Sequence, residues 1–200
     1  MDERFYDAML HIKTTGDQIG FNQSLHYHRY EPTPYSALKI LFQKYEIKSN
    51  DKIIDFGCGK GRLNFFIHYF LNASVVGIEM NQNFYQEALE NKKNYLKKHK
   101  SGLGKIDFHN CLAEEYDICP SDTHFYFFNP FSIQIFTRVV NHILKSVEAV
   151  EREISLILYY PSADYIFYLE NSTAFRLQAE ILLPGQYEHN QNERFLIYHL

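Results

Sequence analysis

Apolar and polar positions along the chain alternate between two periods. Residues 33–46 (TPYSALKILFQKYE) place Leu38, Leu41, Phe42 and Tyr45 at helical spacing, with Thr33 and Pro34 as cap and first turn. KIIDF (52–56) is a short apolar run of the buried-strand type, and the segment from Arg62 to Leu71 reads as helix. ASVVGIE (73–79) predicts a second strand, and 82–98 a long polar helix with Phe84, Ala88, Leu89 and Leu96 on one side. KIDFHNC (105–111) and THFYFFN (123–129) predict the third and fourth strands. Residues 132–147 carry Ile135, Val139, Ile143 and Val147 about one turn apart, and EISLILYY (153–160) predicts a fifth strand. FRLQAEILL (175–183) and ERFLIYHL (193–200) then form an antiparallel pair joined by a turn around PGQYEHNQN.

Strands alternating with helices imply right-handed crossovers and a parallel sheet covered on both faces. The expected fold is α/β, a doubly wound, mostly parallel seven-stranded sheet with an antiparallel C-terminal strand. The 200 residues suit one domain, with 1–50 an N-terminal helical or lid segment and 51–200 the core. No repeat or low-complexity linker divides them.

Composition changes this picture little. A net charge of −4 offers no global reason for nucleic-acid binding. The lysines at 92, 93, 97, 98 and 100 read as a solvated helix face, so nucleic acid is possible but not favoured. Seventeen Phe and sixteen Tyr supply core and cleft walls. Three sparse cysteines read as reduced cytoplasmic thiols, and no run approaches the ~18 apolar residues that crossing a membrane needs. His26 and His28 lack a third ligand at recognisable spacing, so no metal is expected. Monomer and homodimer remain equally open.

The chemistry concentrates in DFGCGKGRL (55–63). Glycines at 57, 59 and 61 permit positive φ and close backbone approach, and the helix that follows offers free N–H groups. The spacing is G-x-G-x-G rather than the dinucleotide pattern G-x-G-x-x-G, and Asp55 precedes it. A carboxylate there repels a pyrophosphate but attracts an ammonium group. Glu79, at the end of the second strand, stands where an acid accepts both ribose hydroxyls.

DFGCGKGR followed by GIEMN resembles the cofactor-binding core of the class I S-adenosylmethionine-dependent methyltransferases, over about residues 30 to 160. The resemblance implies that Asp55, Phe56, the backbone of Gly57, Cys58 and Gly59, and Gly61 surround the methionine moiety, and that Glu79 binds the ribose. The family's acid after the third strand is missing from FHNCLAEEYD, where Asn110 or Glu114 is the candidate adenine contact. Asn129-Pro130-Phe131 resembles the [N/D]-P-P-[Y/F] motif of nitrogen methyltransferases with one proline fewer, which makes these three the catalytic candidates. YHRYEPTPY (27–35) resembles the segment that crosses the cofactor mouth in small members such as lysine methyltransferases lacking a SET domain. It nominates Tyr30, Glu31 and Thr33. Tyr159 or Tyr160, ending the fifth strand, faces either the site or the core.

The expected activity is methyl transfer from S-adenosylmethionine to a nitrogen nucleophile of a protein side chain or small amine, the acceptor itself unidentified. An RNA or DNA base and a catalytically inactive S-adenosylmethionine-binding regulatory domain are the alternatives. The sequence argues against an NAD-dependent dehydrogenase.

Overall fold

In a computed structural model the chain is described over residues 3–16, 30–100 and 104–200. Its elements in order are α1 (Glu3–Leu10), α2 (Tyr35–Lys44), β1 (Lys52–Phe56), α3 (Arg62–Leu71), β2 (Ser74–Ile78), α4 (Gln82–Lys98), β3 (Ile106–His109), β4 (His124–Phe128), α5 (Ile133–Ala149), β5 (Ser155–Tyr159), α6 (Ala163–Ser172), β6 (Arg176–Leu182) and β7 (Arg194–His199). His26 and His28, and residues 27–29 of the proposed mouth segment, lie outside the described residues.

The seven strands run in the order β3-β2-β1-β4-β5-β7-β6. β1 pairs in parallel with β2 and with β4, whereas β7 is antiparallel to both β5 and β6. The expected C-terminal antiparallel strand is therefore present, inserted between β5 and the edge strand β6. Between β1 and β4 the chain changes direction across the sheet, so the crevice beyond their carboxyl ends is the place where such sheets bind ligands.

Each face of the sheet buries its own core. On one side Leu38, Leu41, Phe65, Phe66 and Tyr95, from α2, α3 and α4, pack with Ile53, Tyr126 and Tyr159. On the other, Phe136, Val139, Ile143 and Leu169, from α5 and α6, pack with Phe56, Phe125 and Phe127. Phe136 and Tyr165 stack with centroids 3.7 Å apart. The crossover from β3 to β4 holds only a single 3-10 turn, Ala113–Glu115. No described helix is long and apolar enough to cross a membrane.

One expectation about helix ends needs correcting. Pro34, not Thr33, occupies the N-cap position of α2, and the first N–H of that helix, from Tyr35, donates to Glu3 Oε1 at 3.2 Å. Thr33 is buried and its hydroxyl shares a 2.7 Å hydrogen bond with the Tyr126 hydroxyl. A buried phenol left without a partner is costly.

α1 is tied to the core by a polar lock. Buried Asp7 accepts from the Thr14 hydroxyl and the Tyr35 hydroxyl, each at 2.7 Å, and from the Thr14 and Thr15 backbone. Arg62, 4% exposed at the first turn of α3, donates to Thr14 Oγ1 and to the Thr33 carbonyl and pairs with Glu3. Its guanidinium lies 4.5 Å from the Tyr35 ring centroid. The segments before and after residues 17–29 are thus fixed to the helix that follows the glycine loop.

Candidate cofactor and acceptor site

The carboxyl ends of β1 and β2 carry two buried acids. Asp55 is 4% exposed and Glu79 is 8% exposed. With its amide oriented to satisfy both neighbours, Asn64 on α3 donates to Asp55 Oδ2 at 2.9 Å and accepts from the Gly77 N–H at 3.2 Å. Glu79 accepts from the backbone of Gly59 and of Asn81, both at 2.8 Å. Neither acid forms an ion pair with a described residue. Burial, and secondarily the negative charge of Glu79, holds the Asp55 carboxyl well above the usual carboxylate range. Burial raises Glu79 as well, against the two N–H donors that favour its charged form.

The glycines between these acids are explained by the chain itself. Gly57 has φ +79°, and a Cβ there would lie 2.7 Å from the Pro130 ring. Gly59 has φ +54°, and its Cβ would fall 2.1 Å from the Tyr30 ring. The space that the sequence assigned to ligand approach at these two positions is thus taken up by Pro130 and Tyr30. Tyr30 is anchored in turn, donating to the Thr14 carbonyl at 2.9 Å and packing on Phe84 at 4.7 Å. Gly59→Ala is expected to cost about 2–4 kcal/mol, from left-handed strain plus overpacking, and to lower the melting temperature by roughly 5–15 °C. Combining it with Tyr30→Ala should recover the packing part, which a double-mutant thermal-melt cycle measures.

The other nominated residues separate into those that reach the crevice and those that serve it from behind. Phe56 contributes only backbone, since its ring stacks on Phe127 at 5.1 Å in the far core. Cys58 is buried, and its thiol is pushed up by burial and then by Asp55 and Glu79, so it stays protonated and is no nucleophile. Asn110 donates through Nδ2 to the carbonyls of Glu79 (2.7 Å) and Met80 (3.2 Å), leaving its side-chain oxygen as the candidate acceptor. Glu114 instead lies 3.7 Å from Arg138 of α5.

At the end of β4, Asn129 is half-buried with φ 39°. Asn is among the residues that tolerate this region. Pro130 closes onto Gly57, binding the β4 loop to the β1 loop. Phe131 departs from its expected role: its ring is 1% exposed, edge-on to Phe127 at 6.1 Å, and its carbonyl accepts from Tyr165. A ring so enclosed is core, not a surface on which a planar substrate stacks.

Three contributors had no sequence assignment. Asn64 is a lone amide within the otherwise apolar stretch LNFFI, a signal that it serves a buried polar partner. Tyr126 stands opposite Asp55 in the β1–β4 register. Its buried phenol is pushed up by burial and, further down the order of causes, by the charges of Asp55 and Tyr159. Arg62 was legible only as the start of a helix.

Comparison with known proteins agrees with this fold. A family model described as a methyltransferase domain matches residues 47–167. No curated protein matches the chain in sequence. Among solved structures, an RNA methyltransferase from Salinibacter ruber in complex with S-adenosyl-L-homocysteine is 18% identical, with 84% of this chain and 92% of that one covered and a TM-score of 0.54. The PH0226 protein of Pyrococcus horikoshii OT3 is 15% identical over 81% and 87%, with a TM-score of 0.59. TrmK of M. capricolum, solved with S-adenosyl-homocysteine, is 11% identical over 84% and 68%, with a TM-score of 0.52.

Proposed function

The chain belongs to the methyltransferase-domain family, and we propose that it binds S-adenosylmethionine and transfers the methyl to a nitrogen acceptor. One observation carries the cofactor reading. Asp55 and Glu79 are buried acids that flank the glycine loop at the switch point, Glu79 raises Asp55, and no described cation neutralises either. An ammonium-bearing nucleoside fits that donor set, whereas a pyrophosphate does not.

Bound S-adenosylmethionine supplies an electrophilic methyl on a sulfonium that leaves as a neutral thioether. Asp55 would hold the ammonium, Glu79 the ribose hydroxyls and Asn110 the adenine amino group. The chain's remaining task is alignment, which supplies ~7–11 kcal/mol in well-oriented reactions. Asn129, at the end of the strand beside β1, would accept a hydrogen bond from the acceptor nitrogen and aim its lone pair. Thr33 and Tyr30, locked over the loop, would exclude water. A nucleic-acid base is the second reading, favoured by the RNA methyltransferase among the structural neighbours.

A thermal-shift comparison tests the cofactor. At one hundred times its Kd, S-adenosylhomocysteine should add about 2.7 kcal/mol of stability, and NAD none. The effect should depend on pH. Asp55 takes up its proton more readily folded than unfolded, so the ligand-free protein loses stability as pH rises from about 4 through its raised pKa. The ligand's ammonium needs the ionised form, so stabilisation should be larger at about pH 8 than at about pH 5. Stabilisation by NAD alone would overturn the assignment.

A further inference from the structure

The ends of β4 and β5 carry a second arrangement that the cofactor does not use. Phe128 and Tyr159 are register partners, and each is followed by a non-glycine residue in the left-handed region, Asn129 (φ 39°) and Tyr160 (φ 51°). Their rings gather at the strand ends: Phe128 lies 4.5 Å from Tyr159, and Tyr160 lies 6.4 Å from both. The connection between β6 and β7 then adds a carboxylate. Tyr159, itself 1% exposed, donates to Glu193 Oε2 at 2.6 Å. Asn190, from the same connection, donates to the Tyr160 hydroxyl at 2.7 Å.

Glu193 is half-buried and forms no ion pair with a described residue. The adjacent Arg194 is committed to Glu180 at 2.6 Å. After burial, the influences that raise the Tyr159 phenol are the hydrogen bond to Glu193 and its charge, then Tyr160 and Glu31. Glu31 also lines a recess of about 550 Å³ with Glu3, Tyr30 and Arg62, the last already paired with Glu3.

We propose that Glu193, fixed by Tyr159 beside the Phe128 and Tyr160 rings, is a specificity-determining residue that selects a protonated primary amine as the methyl acceptor and rejects nucleic acid. The proposal rests on the methyl-transfer reading and deepens it. A carboxylate beside aromatic rings attracts an ammonium. Binding to a polyphosphate backbone instead requires lysines and arginines that displace its counterions. Two of the lysines of α4 are already committed to acids, Lys92 to Asp107 and Lys93 to Glu90. Transfer balances simply. The bound ammonium releases a proton to solvent, the nitrogen lone pair forms the new N–C bond, and the pair of the broken C–S bond stays on sulfur.

The experiment uses the intact protein with methyl-labelled S-adenosylmethionine and three host preparations: nuclease-treated protein, protease-treated RNA, and desalted low-mass amines. Label is expected in the protein or the amine preparation, and which of the two distinguishes a lysine side chain from a free amine. Glu193→Gln keeps an acceptor for the Tyr159 hydroxyl but removes the charge. It should raise the half-saturating acceptor concentration about tenfold at an unchanged maximal rate. Glu31→Lys, on an exposed side chain, should raise it as well. Label confined to RNA, or an unchanged half-saturation in Glu193→Gln, would overturn the proposal and leave methyl transfer standing. Label in none of the three, despite S-adenosylhomocysteine binding, would overturn both.

Discussion

Asp55→Asn is expected to weaken S-adenosylhomocysteine binding by roughly 10- to 100-fold while leaving the ligand-free fold at least as stable as the wild type. The loss corresponds to one charge-assisted hydrogen bond, about 1.5–3 kcal/mol. The retained stability follows from the environment of the acid. Asp55 is desolvated and faces the charge of Glu79, and what the ligand-free protein offers it is the Asn64 amide. An amide at position 55 still accepts from Asn64 and removes the buried charge, the substitution that is neutral or stabilising when the charge has no partner. Calorimetry with S-adenosylhomocysteine gives the affinity, and thermal melts at about pH 8 give the stability. Unchanged affinity would remove Asp55 from the cofactor site. A large drop in stability with unchanged affinity would make it a structural acid.

This trade between stability and binding explains why the glycine loop was the legible part of the sequence. Asp55 and Glu79 break an apolar pattern at two strand ends, and such breaks are expected at functional positions. The helices at Arg62–Leu71 and Gln82–Lys98 were equally readable, since their apolar positions recur at helical spacing and Asn81 caps the second through the N–H groups of Asn83 and Phe84. The helix Ala163–Ser172 was not. It buries only Tyr165 and Leu169 and leaves Phe167 68% exposed, so its aromatic run has no single apolar stripe. Phe131 misled for a related reason: a motif fixes residue type and order, but whether a ring faces the crevice or the core depends on its packing, here against Phe127 of β4 and under Tyr165 of α6, 34 residues on. Contacts such as Thr33 with Tyr126, Tyr30 with Gly59, and Glu193 with Tyr159 join positions with no local pattern between them. They become visible only when β1, β4 and β5 lie side by side and the N-terminal segment crosses their ends.

Asn129 carries the second large effect, and its backbone must be separated from its side chain. Asn129→Ala is expected to reduce turnover by roughly 100- to 1,000-fold, the cost of losing one positioned polar group at a reacting centre. It should leave S-adenosylhomocysteine affinity within a few-fold, because the Asp55 and Glu79 carboxylates are untouched. Alanine at φ 39° also bears about 1–2 kcal/mol of left-handed strain, so a slower enzyme could reflect a displaced loop. Asn129→Gly removes that ambiguity, since glycine adopts the same φ without strain and Pro130 can keep its seat on Gly57. If the amide orients the acceptor nitrogen, the glycine variant melts near the wild-type temperature yet turns over as slowly as the alanine variant. Recovery of turnover in Asn129→Gly would assign the effect to backbone geometry alone. Parallel loss of cofactor affinity in both variants would move Asn129 from the acceptor side of the crevice to the cofactor side. The measurement is the rate of label transfer to the acceptor preparation, with calorimetric S-adenosylhomocysteine affinity recorded for the same two proteins.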